Sequence, residues 1–225
     1  MSSPTSSDIQ ALAKSTVAIL KRHGLSSCLT GGAACALWGV ARTPNDLDMV
    51  VMTSSYTQEE VKRLVAAADT SYYLVPSTNP RNTYKVLWHR AANGVCCKVD
   101  LLLPPTLNIP DITPEHVVLR QGTPVMPLLL LLLMKLQAWS DHGSSRWSNV
   151  RAKAATDRLD IEVLLGVAVR NGVSLQRESW LKETMLMAWS WNRVTSYVAA
   201  YPSSRGNWRS IGIVDVQPFG RRLFQ

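Results

Sequence analysis

From residue 9 onward apolar positions recur with a helical period: Ile9, Leu12, Ala13, Thr16, Val17, Ile19 and Leu20 lie along one stripe. That stripe predicts a helix over 8–23, capped by Asp8 and stopped by Gly24. A short strand is expected at 27–29. Thr30, Gly31 and Gly32 then read as a turn, and AACALWG (33–39) as a compact helix of small residues directly after it. The run DLDMVVM (46–52), introduced by Pro44 and Asn45, has the continuous apolar character of a buried strand. Thr57 and Glu60 stand at capping-box spacing and open a helix through 69, followed by a strand at 72–75. Asn93-Gly94 is the strongest hairpin signal in the chain. It joins 84–90 to 95–103 and places Asp100 on the second arm.

Residues 104–127 form a proline-punctuated connector with a short element expected at 115–119. Beyond it the period is helical: 128–141, 150–170 with Gly172 as its stop, and 177–200 ended by Pro202. Residues 180, 184, 187, 188 and 191 of the third segment fall near one helix face. Its tryptophans, Trp180, Trp189 and Trp191, are therefore expected in a core and not as a platform for stacked bases; Trp38 is expected to be core as well. Residues 203–225, polar and glycine-bearing, predict an irregular tail. No internal repeat is present. The fold class is accordingly α/β (α+β): a mixed-sheet lobe flanked by helices over 1–125, a helical lobe over 126–202, and the tail 203–225, with a cleft between the lobes as the expected site.

Composition narrows the class. Across 225 residues, 46% are apolar and 18% charged, enough for a buried core and too little bias for a disordered chain. The six leucines 128–133 fall far short of the roughly 20 apolar residues a membrane-spanning helix needs, so they predict a buried helix and no membrane partner. The start MSSPTSSD has no basic region leading into an apolar stretch, which predicts no secretory signal and an intracellular, cytoplasmic protein with reduced thiols. Cys28, Cys35, Cys96 and Cys97 show no zinc or disulfide spacing. The net charge of +8 favours an anionic partner. Residues 1–125 hold 11 basic and 9 acidic side chains, while 126–225 hold 13 and 7, so the basic excess belongs to the second half.

The densest chemistry lies in LTGGAACALWGVARTPNDLDMVV (29–51). On a strand Asp46 and Asp48 face the same way, roughly 7 Å apart along the backbone, and two such carboxylates suit a hard cation. Magnesium takes oxygen ligands and binds through one or two carboxylates plus substrate phosphates. Gly31 and Gly32 let the backbone approach a phosphate closely. Asp100 completes a three-carboxylate set if its strand neighbours 46–52.

Gly-Gly before a short helix, then Arg-Thr, then Asp-Leu-Asp-apolar-apolar, then a later strand carrying an apolar-flanked Asp, resembles the polymerase β-like nucleotidyltransferase superfamily. Within it the sequence looks most like the abortive-infection (AbiEii-type) toxin nucleotidyltransferases and similar minimal proteins. LLLLMKLQAW, followed by Arg151, Lys153, Asp157 and DRLDIEVLL, is similar to that group's helix lysine and Lys-x-x-x-Asp-x-x-Asp signature. The likeness spans roughly residues 28–165. One departure stands out: much of the superfamily has Gly-Ser where this chain has Gly31-Gly32, so a phosphate-touching hydroxyl is absent.

The resemblance implies a nucleotidyltransferase-type sheet lobe and magnesium-dependent transfer of a nucleoside monophosphate from a nucleoside triphosphate to a hydroxyl, with release of pyrophosphate. The acceptor would be an RNA 3′ end or a protein side chain. Asp46, Asp48 and Asp100 are then the catalytic and metal-binding residues, for two magnesium ions or manganese in their place, with Asp100 also placed to assist deprotonation of the acceptor. Gly31, Gly32, Arg42, Lys135, Arg151 and Lys153 are the nucleotide- and phosphate-binding candidates, with Asp157 and Asp160 orienting Arg151 and Lys153. His142 is expected to complement a helix C-terminus, and His23, His89 and His116 have no companion at ligand spacing. Two other readings stay open: transfer to a small hydroxylated molecule, as in antibiotic-modifying relatives, and a non-catalytic nucleotide- or nucleic-acid-binding module of the same fold. Base choice, acceptor, oligomeric state and inhibitory partner have no sequence marker.

Overall fold

The computed structural model describes residues 3–213. The chain divides between Pro127 and Leu128 into two compact units.

The first unit is a mixed sheet with helices. Its elements are α1 (Ser6–Arg22), β1 (Ser26–Leu29), α2 (Gly31–Leu37), β2 (Asp46–Met52), α3 (Gln58–Ala68), β3 (Tyr72–Pro76), β4 (Lys85–Arg90), β5 (Cys96–Leu102), β6 (Val118–Arg120) and β7 (Thr123–Val125). The seven strands run in the order β3-β4-β5-β2-β1-β7-β6. Pairings β2–β5 and β1–β7 are parallel and the others antiparallel. The expected α/β fold is what the chain adopts. In β2, Leu47, Met49, Val50 and Val51 are fully buried, so the apolar run fills the sheet's middle, while Asp46 and Asp48 alternate onto the part-exposed side.

Local signals explain most boundaries. Thr57 accepts from the Glu60 amide while the Glu60 side chain answers the Thr57 amide, the reciprocal cap that starts α3. In α1 the cap is Thr5 and not Asp8: Asp8 is the third helical residue, and its carboxylate accepts from the Thr5 amide at 2.8 Å. The diglycine is not a turn ahead of a helix either, because α2 begins at Gly31 with Thr30 as its N-cap. The connector holds more structure than expected. Two short 3-10 turns, Thr106–Asn108 and Pro114–His116, precede the hairpin β6–β7, and β7 adds to β1 as a parallel neighbour. Trp38 is buried and donates from Nε1 to the Met126 carbonyl at 3.1 Å.

The second unit contains α4 (Leu128–Gly143), α5 (Ser148–Arg151), α6 (Lys153–Arg170), α7 (Met185–Ala200) and α8 (Arg205–Ser210). All six leucines of 128–133 are buried, so α4 is apolar around its first turns and forms this unit's centre. No helix among the described residues is long and apolar enough to cross a membrane. The helix expected over 150–170 breaks at Ala152 into α5 and α6. The one expected over 177–200 is shorter, because the Thr184 hydroxyl accepts from the Met187 amide and starts α7 there. Trp180 therefore lies in a separate 3-10 turn, Ser179–Leu181, and the helix face expected to include residues 180 and 184 does not exist. The buried face of α7 is Leu186, Met187, Ser190, Val194, Tyr197 and Val198, and Trp189 is exposed. The expected irregular tail begins instead with a 3-10 turn (Pro202–Ser204) and α8, whose Trp208 is fully buried with its ring edge-on to Tyr197. The part of that tail over 214–225 lies outside the described residues.

Candidate active site

The parallel pairing of β2 with β5 sets Asp48 directly opposite Asp100, and Asp46 opposite Lys98. Side chains two apart on a strand share a face, so Asp46, Asp48, Lys98 and Asp100 project to one side of the sheet. Oxygens of Asp46, Asp48 and Asp100 lie within 4.8 Å of one another. Three half-buried carboxylates at that separation repel, and the arrangement is the donor set that a hard, oxygen-seeking cation satisfies. These residues fit magnesium.

Lys98 reaches the same cluster: its Nζ donates to Asp100 Oδ2 at 2.6 Å. Burial, the largest single influence, works to lower the Lys98 pKa. The Asp100 hydrogen bond and the charges of Asp100, Asp46 and Asp48 outweigh it, and the net displacement is upward. The ammonium thus offsets part of the acidic charge. The signal for Lys98 was present as its alternation with Asp100 in KVDLLL, but only the register shows that it also faces Asp46.

The N-terminus of α2 closes on the same carboxylates. Gly31 has φ +57, and a Cβ built there would overlap the Asp48 carboxylate, lying 2.8 Å from its Cγ and 2.9 Å from its Cβ. The Thr30 amide donates to the Asp48 carbonyl at 3.0 Å, tying the start of α2 to β2. At Gly32 a Cβ would come within 3.1 and 3.2 Å of the two terminal nitrogens of Arg42 and 3.0 Å of Pro44 Cβ. Gly31, Gly32, Arg42, Asp46, Asp48 and Asp100 therefore form one constellation with Lys98. Cys97, beside it on the opposite strand face, is inert: burial first, then the Asp46 and Asp48 charges, push its thiol up to about 12.

The helical candidates are arranged differently. Lys135 Nζ lies 2.9 Å from Asp160 Oδ2 and 3.3 Å from Asp157 Oδ1, and His142 Nδ1 lies 2.6 Å from Asp157 Oδ2. Asp157 and Asp160 therefore hold Lys135 and His142 and do not orient Arg151 or Lys153; His142 lies in the last turn of α4, as expected, and also meets the Asp157 carboxylate. Arg151 Nη1 donates to the carbonyls of Ser145 and Arg146 at 2.8 and 3.0 Å. Lys153 is exposed and has no ion pair among the described residues. Because both acids are buried, Lys135→Met leaves two carboxylates without their ammonium. Urea unfolding of that variant is expected to show a loss of about 3–5 kcal/mol; an unchanged midpoint would refute the bracing role.

No family model matches the chain, and no curated protein sequence matches it. Solved structures do. An antigenic nucleotidyltransferase-like protein from Paracoccidioides brasiliensis superposes with a TM-score of 0.64 at 14% identity, over 91% of this chain and 92% of that one. JHP933 from Helicobacter pylori superposes with a TM-score of 0.53 at 14% identity, over 92% and 81%. The fold is thus that of nucleotidyltransferase-like proteins.

Proposed function

We propose that this protein transfers a nucleoside monophosphate from a nucleoside triphosphate to a hydroxyl on an RNA end or a protein side chain, releasing pyrophosphate. The observation that carries the reading is the convergence of Asp46, Asp48 and Asp100 on adjacent parallel strands, oxygens within 4.8 Å, on a nucleotidyltransferase-like fold. Kinship with the abortive-infection toxin group is part of the same reading, supported by the meeting of Lys135, Asp157 and Asp160, three residues of that group's helical signature, in one ion cluster.

In the reaction the acceptor oxygen forms a bond to the α-phosphorus as the bond to the pyrophosphate oxygen breaks, and the acceptor proton must leave. Asp46, Asp48 and Asp100 would hold magnesium, which when bound supplies positive charge against the triphosphate and its leaving group. Asp100 would take the acceptor proton, and Lys98, donating to its carboxylate, holds it in place. Gly31 and Gly32, lacking side chains, let phosphate oxygens come close to the backbone beside Asp48. Arg42, lying over Gly32, adds a cation to the same surface.

The test uses the full chain with α-labelled nucleoside triphosphates, magnesium, and total RNA or total protein. Label should pass to one of these pools with wild type and not with Asp48→Asn. Equal labelling by both proteins would sink the proposal.

A further inference from the structure

Of the eight tryptophans, two are exposed: Trp147, at 59%, and Trp189, at 41%. Indole surface in water is unfavourable and is usually covered. Both rings carry an arginine, with the Arg146 guanidinium 4.9 Å from the Trp147 centroid and that of Arg193 6.0 Å from Trp189. Both pairs also sit at the same end of α4. Arg193 Nη2 lies 3.9 Å from Asp141 Oδ1 in the last turn of α4, and Arg146 and Trp147 follow within the six residues that leave that turn.

The presentation of Trp147 is built. Arg151 donates from Nη1 to the carbonyls of Ser145 and Arg146, and so holds the backbone immediately before the indole. Local charge is one-sided: between Asp141 and Asp157 there is no acidic residue, while Arg146, Arg151 and Lys153 are all exposed. Exposed aromatics interleaved with cations that outnumber the adjoining Asp141 match an unpaired polynucleotide, whose bases offer flat faces and whose phosphates offer regular negative charge. A base-paired duplex hides those faces, and an apolar protein partner would leave the cations desolvated.

We propose that the end of α4 with the exposed part of α7 is a docking surface for unpaired nucleic acid, bases stacking on Trp147 and Trp189 and phosphates meeting Arg146, Arg151 and Lys153. It deepens the transfer reaction proposed above, resting on that reading only for what the bound strand does; binding itself does not depend on it.

Fluorescence anisotropy of the full chain, without nucleotide or metal, is the direct test. The probes are a labelled 12-nucleotide RNA, the DNA of the same sequence, and the duplex of each. Single strands should bind more tightly than duplexes, with affinity falling as salt rises. Preference between the two single strands identifies the natural source. Trp147→Ala and Trp189→Ala should each weaken binding about 10-fold or more, with circular dichroism and melting unchanged because both rings are exposed. Unchanged affinity in the double variant, or equal binding of duplex and single strand, would overturn the proposal. Asp48→Asn should bind the strand as wild type does. Failed labelling of any acceptor with strand binding retained would strike only the transfer reaction, and transfer without strand binding only this surface.

Discussion

Gly31→Ala should abolish nucleotidyl transfer, lowering it at least ~100-fold, and should destabilise the fold by roughly 2–4 kcal/mol. Two effects combine. At φ +57 any L side chain is strained by about 1–2 kcal/mol, and the new methyl would occupy the volume of the Asp48 carboxylate. Strand β2 cannot retreat, since Leu47 and Met49 on either side are fully buried in the core. The start of α2 cannot easily retreat either, because the amide of its N-cap Thr30 is hydrogen-bonded to the Asp48 carbonyl. The carboxylate must therefore swing away from Asp46 and Asp100. Gly94→Ala is the matched control: φ is +81, but nothing lies within 4 Å. It should incur only the backbone strain and keep full activity. Urea titrations and transfer assays on the two variants separate strain from collision, and a fully active Gly31→Ala protein would refute the packing of this glycine against the site.

Asp48→Asn should lower transfer about 10³-fold or more, the loss of several kcal/mol of electrostatic stabilisation. Its second signature requires no turnover. A cation that binds the folded state raises the melting temperature in proportion to ln(1 + [L]/Kd). Magnesium or manganese should therefore raise the wild-type midpoint, and a chelator should return it. In Asp48→Asn that rise should disappear, while the metal-free midpoint stays level or climbs because one of three mutually repelling charges is gone. Identical metal-induced shifts in both proteins would count against a cation site at these carboxylates.

The sheet lobe was legible where one local rule decides structure. Alternation in DLDMVVM placed both aspartates on one face, the Thr57–Glu60 spacing marked α3, and Asn93-Gly94 marked the β4–β5 hairpin. Long-range pairing left no such trace. The β6–β7 hairpin has three-residue strands, one with Pro124 in its middle, and turns through Gln121 and Gly122 at positive φ; proline argues against a strand in any sequence reading. Lys98 had no assignable role until β5 was seen beside β2. Lys135 and Asp157 are 22 residues apart, so helical period says nothing of their contact, and the local spacing of Lys153 to Asp157 suggested a pairing the fold does not make. The extended third helix failed on a single hydroxyl, that of Thr184, because a periodic apolar pattern does not reveal where a side chain will compete for backbone amides.

The parallel register of β2 and β5 has one further bearing, on how activity and folding can be dissociated. Alternation has a period of two, so a slip of one residue would turn Asp100 toward the interior now filled by Leu101 and bring Leu101 to the surface. Charged and apolar rows would trade places together, so a one-residue mispairing disrupts the carboxylate cluster and the core at once. Loss of the carboxylate cluster and spectroscopic unfolding of the sheet should then share one midpoint.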